Sequence, residues 1–145
     1  MSFPSPVPGL VIRYSYLWLQ EHRKGKEEGV KDRPCAVVLV KTDEDGDQVV
    51  TVLPITHSPP PADIPAVEIP RPIKVKLGLD DERSWIVLSE INRFVWPGPD
   101  LRTAVRGDAN SVAYGKLPPG FFAGVLDRFI KVYDSGKLDA IQRSE

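Results

Sequence analysis

Short blocks of apolar residues separated by turn residues dominate the chain. Leu10 to Leu19 is rich in Val, Ile, Tyr and Trp and sets Ile12, Tyr14 and Tyr16 on one face of an extended strand. From Gln20 to Arg33 the chain turns polar, with charges of both signs and glycines at 25 and 29, a surface loop in pattern. Pro34 to Lys41 is a continuous apolar run, as for a strand covered on both faces. Asp43 to Asp47 is a turn, and Val49 to Ile55 is the returning strand of a hairpin. Prolines 59 to 61 stop regular pairing. Further short strands are expected at Val67–Ile69, Ile73–Leu77, Ser84–Leu88 and Ile91–Trp96, the last ending at Pro97-Gly98-Pro99. One segment has helical periodicity. Phe122, Val125, Leu126, Phe129 and Ile130 recur at helical spacing behind Pro118 and Pro119, and Gly136 ends the pattern. The pattern predicts a mainly β chain: a small closed sheet with one C-terminal α-helix laid on it.

Length and composition narrow this picture. The 145 residues fit one domain spanning 1–145, with an irregular proline-rich leader at 1–8 and a loose polar tail at 134–145. Fifteen prolines, roughly twice the usual usage of about 5%, favour short strands and rigid loops. A net charge of −1 argues against a protein that coats nucleic acid by bulk charge, and leaves room only for a local basic groove. Cys35 is the single cysteine, so no internal disulfide and no cysteine-rich zinc site is expected; it reads as an inert buried thiol. No stretch has the pattern of a signal peptide or a membrane span, so a soluble cytoplasmic protein is expected, with no membrane partner. The phosphate-binding loop, the nucleophile elbow and the His-Glu-x-x-His motif are absent, and the Asp43–Asp47 run lacks the distal glutamate of a calcium loop. No metal and no cofactor are expected.

Four short sequences then acquire meaning from their order. Arg33-Pro34 precedes the apolar strand Ala36-Val-Val-Leu-Val; Pro54-Ile-Thr56 closes the next; Ser84-Trp-Ile-Val-Leu-Ser-Glu-Ile91 follows; Gly115-Lys-Leu-Pro118 leads into the helix. From about Gly9 to Tyr133 this order resembles the MazF/PemK toxin family. The resemblance implies an SH3-like β-barrel that pairs into a homodimer. It also implies a metal-independent endoribonuclease cleaving single-stranded RNA, a growth inhibitor of plasmid-maintenance type. Its partner is a cognate antitoxin whose acidic C-terminal segment fills the RNA groove. A relative with a similar barrel poisons DNA gyrase instead, because a fold does not fix an activity.

Cutting RNA without a metal requires moving one proton off the 2′-hydroxyl, supplying one to the leaving 5′-oxygen, and stabilising charge on phosphorus. Arg33 matches the family's catalytic arginine, whose planar fork grips two phosphate oxygens; its plain alternative is a surface ion pair with Asp32 or Glu28. Thr56 matches the catalytic threonine; its alternative is a hydroxyl capping a turn. His57 follows as a candidate general acid or base, with His22 a weaker one, and a solvated ring is the alternative for both. Some relatives use an arginine and an aspartate where this chain has Val87 and Ser89, which leaves Glu90 or His57 to substitute. Arg23, Lys24, Lys26 and Lys31 in the charged loop, with Ser58 and Glu90, are the candidate RNA-binding residues; Arg71, Lys74, Lys76 and Arg102 extend the set, and a solvated charged surface is the competing account. Trp18, Trp85 and Trp96 offer stacking faces or, equally, core packing. Two rival functions stay open: a growth inhibitor that grips a protein such as gyrase, and a non-toxic RNA-binding barrel.

Overall fold

A computed structural model describes residues 3–19, 32–104 and 111–143. The chain is mainly β. The strands are β1 (Leu10–Tyr14), β2 (Arg33–Thr42), β3 (Gln48–Thr56), β4 (Ala66–Glu68), β5 (Trp85–Val87), β6 (Glu90–Trp96), β7 (Ala113–Lys116) and β8 (Asp139–Gln142). Two helices interrupt them, α1 (Arg71–Leu77) and α2 (Pro119–Asp134). One sheet runs in the order β4-β5-β3-β2-β1-β7, and β6 branches from β3 and carries β8. The fork arises because β3 pairs through Gln48–Val52 with β6 and then through Ile55 and Thr56 with β5. All pairings are antiparallel except β6 with β8.

The central strands are apolar throughout because both faces of the sheet are covered. One face gathers Val11, Ala36, Leu53, Ile55 and Ile91 with Leu77 of α1 and Val125 and Phe129 of α2. The opposite face gathers Ile12, Tyr14, Cys35, Val37, Val52 and Phe94. Burial of Val125 and Phe129 contributes about 2 kcal/mol each and fixes the helix to the sheet. Ile130, counted in the same apolar stripe, is 47% exposed instead. The β2–β3 hairpin turns as expected: the Asp43 carboxylate accepts from the Asp45 and Asp47 amides at 2.9 Å each, and Gly46 takes φ +84°. Gly9 is needed where it stands. Its φ is +93°, its amide donates to the Val37 carbonyl at 2.7 Å, and an added Cβ would sit 3.6 Å from the Phe122 ring.

Three expectations are corrected. Ile73–Leu77 is helix, not strand. Pro70 and Pro72 start α1, where missing amides cost nothing, and Gly78 ends it at φ +69°. The alternation of Ile73, Val75 and Leu77 misleads because Val75 is 65% exposed, while Lys74 and Leu77, three apart, point inward. The long helix is not the last element, since the expected loose tail forms β8 along β6. The sheet does not close into a barrel through backbone pairing.

At the gap, side chains do the joining. After Tyr14, which bridges Leu101, the Ser15 amide donates to the Asp100 carbonyl at 2.9 Å and the strand ends. The fully buried Asn92 accepts from the Leu17 amide and donates to the Leu17 carbonyl, both at 2.9 Å, as a strand partner would. Arg143 donates to the Ser15 carbonyl at 2.7 Å and to Asn92 Oδ1 at 3.0 Å, and pairs with Asp100 at 2.9 Å. No helix among the described residues is long and apolar enough to cross a membrane.

Replacing Arg143 with Met removes the buried cation that pairs with Asp100. Equilibrium urea unfolding is expected to show a loss of about 3 kcal/mol or more. The matched change Arg83→Met, at a solvent-exposed pair with Glu68, leaves the midpoint nearly unmoved.

Candidate functional site

Arg33 opens β2 and Thr56 closes β3, each two residues beyond the paired Cys35 and Pro54. Both line one cleft of about 1150 Å³, which also takes Trp18, His57, Ser58, Ser89, Glu90 and Tyr114 into its wall. The two residues singled out on sequence therefore share one concave surface. The cleft exists because β3 changes partner from β6 to β5 near its end, which splays the strand ends apart.

Arg33 is half-buried, with its guanidinium carbon 4.9 Å from the centroid of the Trp18 ring. Its Nε is buried and has no hydrogen-bond partner among the described residues. The simple ion pair with Asp32 is not formed. Asp32 instead meets Arg13 at 4.0 Å and Arg102 at 3.4 Å, while Glu28 lies outside the described residues. Thr56 Oγ1 accepts from the Ser58 amide at 3.1 Å, so the hydroxyl caps a turn and keeps its own proton to donate.

Glu90, at the start of β6, is pinned through one oxygen, which accepts from the Tyr16 hydroxyl and the Leu19 amide, both at 3.1 Å. Burial, and after it the negative charge of Glu90, raises the Tyr16 hydroxyl well above its ordinary range, so Tyr16 acts here as a donor. Ser58 is exposed at the cleft wall, and Ser89 and the buried Val87 line it near Glu90.

His57 is engaged on both sides of its ring. Nδ1 lies 3.1 Å from the Arg83 carbonyl and 3.1 Å from Ser84 Oγ, and Nε2 lies 2.7 Å from Asp80 Oδ2. In this rotamer no ring nitrogen is left for a substrate proton. Burial pushes the Asp80 carboxyl up, but the Lys74 hydrogen bond and the charges of His57 and Lys74 outweigh it and hold the group below its usual range. Lys74 is itself buried, pairing with Asp80 at 2.9 Å and donating to the Glu82 carbonyl, so it cannot follow an RNA backbone. Arg102 is likewise committed, to Asp32 and the Pro99 carbonyl. Trp96 is core, and Trp85 carries Arg83 over its face at 4.9 Å.

Arg23, Lys24, Lys26, Lys31 and His22 lie outside the described residues. Among the described lining, Arg13, Arg33 and Lys137 stand beside five acids, Asp32, Asp63, Asp80, Glu90 and Asp139. Sequence reading missed Asp80, Tyr114 and Asp139, because they come from a turn, β7 and β8, which no motif links to β2 and β3. Burial is the main cause that raises the Tyr114 hydroxyl above its ordinary range.

Cys35 follows Arg33 by two positions but faces the interior, fully buried, and burial pushes its thiol far above the usual range. The thiol is therefore excluded as a nucleophile at this cleft. A thiol-reactive disulfide reagent is expected to label none of it in the native protein and one equivalent per chain after unfolding; rapid native labelling would contradict the packing described. Compared with known protein families and with curated proteins, the chain matches none.

Proposed function

We propose that the protein is a MazF/PemK-like toxin, a metal-independent endoribonuclease acting on single-stranded RNA at the cleft between the ends of β2 and β3. The observation that carries this reading is the joint placement of Arg33 and Thr56 on that cleft, with a guanidinium propped on Trp18 and holding an unpartnered Nε. In the reaction, the ribose 2′-oxygen attacks the adjacent phosphorus and the 5′-oxygen of the next nucleotide leaves, giving a cyclic phosphate and a 5′-hydroxyl. Arg33 holds two oxygens of the charged phosphorane, an interaction that strengthens as charge develops. The Thr56 hydroxyl donates to the same group. Glu90, fixed by Tyr16 and the Leu19 amide, is the candidate to take the 2′ proton, and solvent water supplies the proton of the leaving 5′-oxygen. The acid-rich wall means that backbone affinity falls to the basic loop residues Arg23, Lys24, Lys26 and Lys31.

The family reading carries further parts. The curved sheet with a side-chain seam is taken as a variant of the SH3-like barrel, acting in the cytoplasm as a homodimer and restrained by an antitoxin with an acidic C-terminal segment. A second reading has its own support. Ile130 and Tyr133 on α2 are 47% and 60% exposed, as for a growth inhibitor that docks a protein partner through this helix.

Purified protein is expected to cut single-stranded RNA in the presence of EDTA. Arg33→Ala should lower the rate about 10²–10³-fold, and Thr56→Val by a smaller factor. Intact RNA after incubation with folded wild type overturns the reading. Growth arrest without RNA cleavage, relieved by Ile130→Asp with Tyr133→Asp, would establish the second one instead.

A further inference from the structure

Beside the cleft, where His57 and Asp80 form part of the lining, three possible ligand atoms converge. His57 Nε2 lies 2.7 Å from Asp80 Oδ2 and 3.7 Å from Glu82 Oε2, and the donor atoms of the three residues lie within 4.8 Å of one another. The orientation of the imidazole is set from outside this group. Nδ1 faces the Arg83 carbonyl at 3.1 Å, and a carbonyl only accepts, so the Nδ1 position carries the proton. Ser84 Oγ, 3.1 Å from the same nitrogen, is buried and has the Glu82 carbonyl 3.4 Å away as its own acceptor. With Nδ1 turned to the carbonyl, Nε2 is aimed at the two carboxylates, where a divalent ion would engage all three groups at once.

We propose that His57, Asp80 and Glu82 form a binding site for one divalent transition-metal ion of borderline hardness, of which Zn²⁺ is the probe. One imidazole and two carboxylates are a donor set such ions accept, and a ring nitrogen donating to a backbone carbonyl is the usual outer support of a metal-ligating histidine. Bonds of about 2.0–2.1 Å in tetrahedral geometry set donor atoms about 3.3 Å apart, between the two separations found here. Filling the site therefore requires only that the Asp80 carboxylate draw back and that of Glu82 close in. Lys74 holds the other Asp80 oxygen, Oδ1, at 2.9 Å, which leaves Oδ2 turned toward the ring. A fourth position remains open to water. His57 and Asp80 line the same cleft as Arg33, Thr56 and Glu90, but none of the three ligands is among the residues assigned to RNA cutting.

The test is direct binding. Protein freed of metal by EDTA and desalting is titrated at neutral pH with Zn²⁺ by calorimetry, and with Co²⁺ by its visible absorption. One equivalent per chain is expected, weakened at least tenfold by His57→Ala and by Glu82→Gln, and unchanged by His22→Ala. Circular dichroism checks that each variant folds, and Glu82→Gln at an exposed carboxylate keeps the test open if His57→Ala does not. Absence of binding to the wild type overturns the proposal, as does wild-type affinity in folded His57→Ala or loss of binding on His22→Ala. Neither result touches the cleavage reading, because RNA cutting in EDTA is measured without the ion.

Discussion

The fold depends on a buried polar junction between the chain leaving β1 and the paired strands β6 and β8. A sheet edge must find partners for its amides and carbonyls, and past Tyr14 the ladder of β1 has ended. Asn92 supplies one donor and one acceptor in the place of a strand, and Arg143 with Asp100 completes the set. The charged pair sits with its side chains 2% and 9% exposed, so each member offsets part of the cost of burying the other. This junction also delivers the segment 15–19 to the cleft, where Trp18 supports Arg33 and the Leu19 amide holds Glu90. Stability and site geometry thus share one set of bonds.

The β2–β3 hairpin, the apolar runs and the long helix were legible because local pattern decides them. Apolar blocks are long enough to span the sheet, Asp43 and Gly46 dictate the turn, and Pro118–Pro119 with Gly136 bracket α2. What failed were the elements fixed by distant contacts. α1 has only seven residues, too few for periodicity to separate helix from strand, and its inward position is filled by Lys74, which a hydrophobic reading assigns to solvent. β8 contains one buried apolar residue, Ile141, and exists because β6 offers a free edge. Asn92 and Arg143 carry no signal in a sequence read alone, for nothing in their neighbours announces that they will be buried.

The site was legible to a similar extent. Arg33 and Thr56 were singled out by their resemblance to a family pattern, and the pairing of β2 with β3 brings both to one cleft. His57 was read as a candidate general acid or base, or else a solvated ring; its neighbours in space, Asp80 to Ser84, are more than twenty positions away along the chain. The cleft draws its acids from five separate segments, so its charge balance appears only in three dimensions.

The bond from Arg143 to Ser15 joins residues 128 positions apart. At ordinary rates of translation the later residue emerges on the order of ten seconds after the earlier one. Throughout that interval the nascent sheet lacks the Arg143 side chain that completes its margin. The native arrangement is therefore reached only once nearly all of the described chain has left the ribosome, and any co-translational partner meets an incomplete cleft.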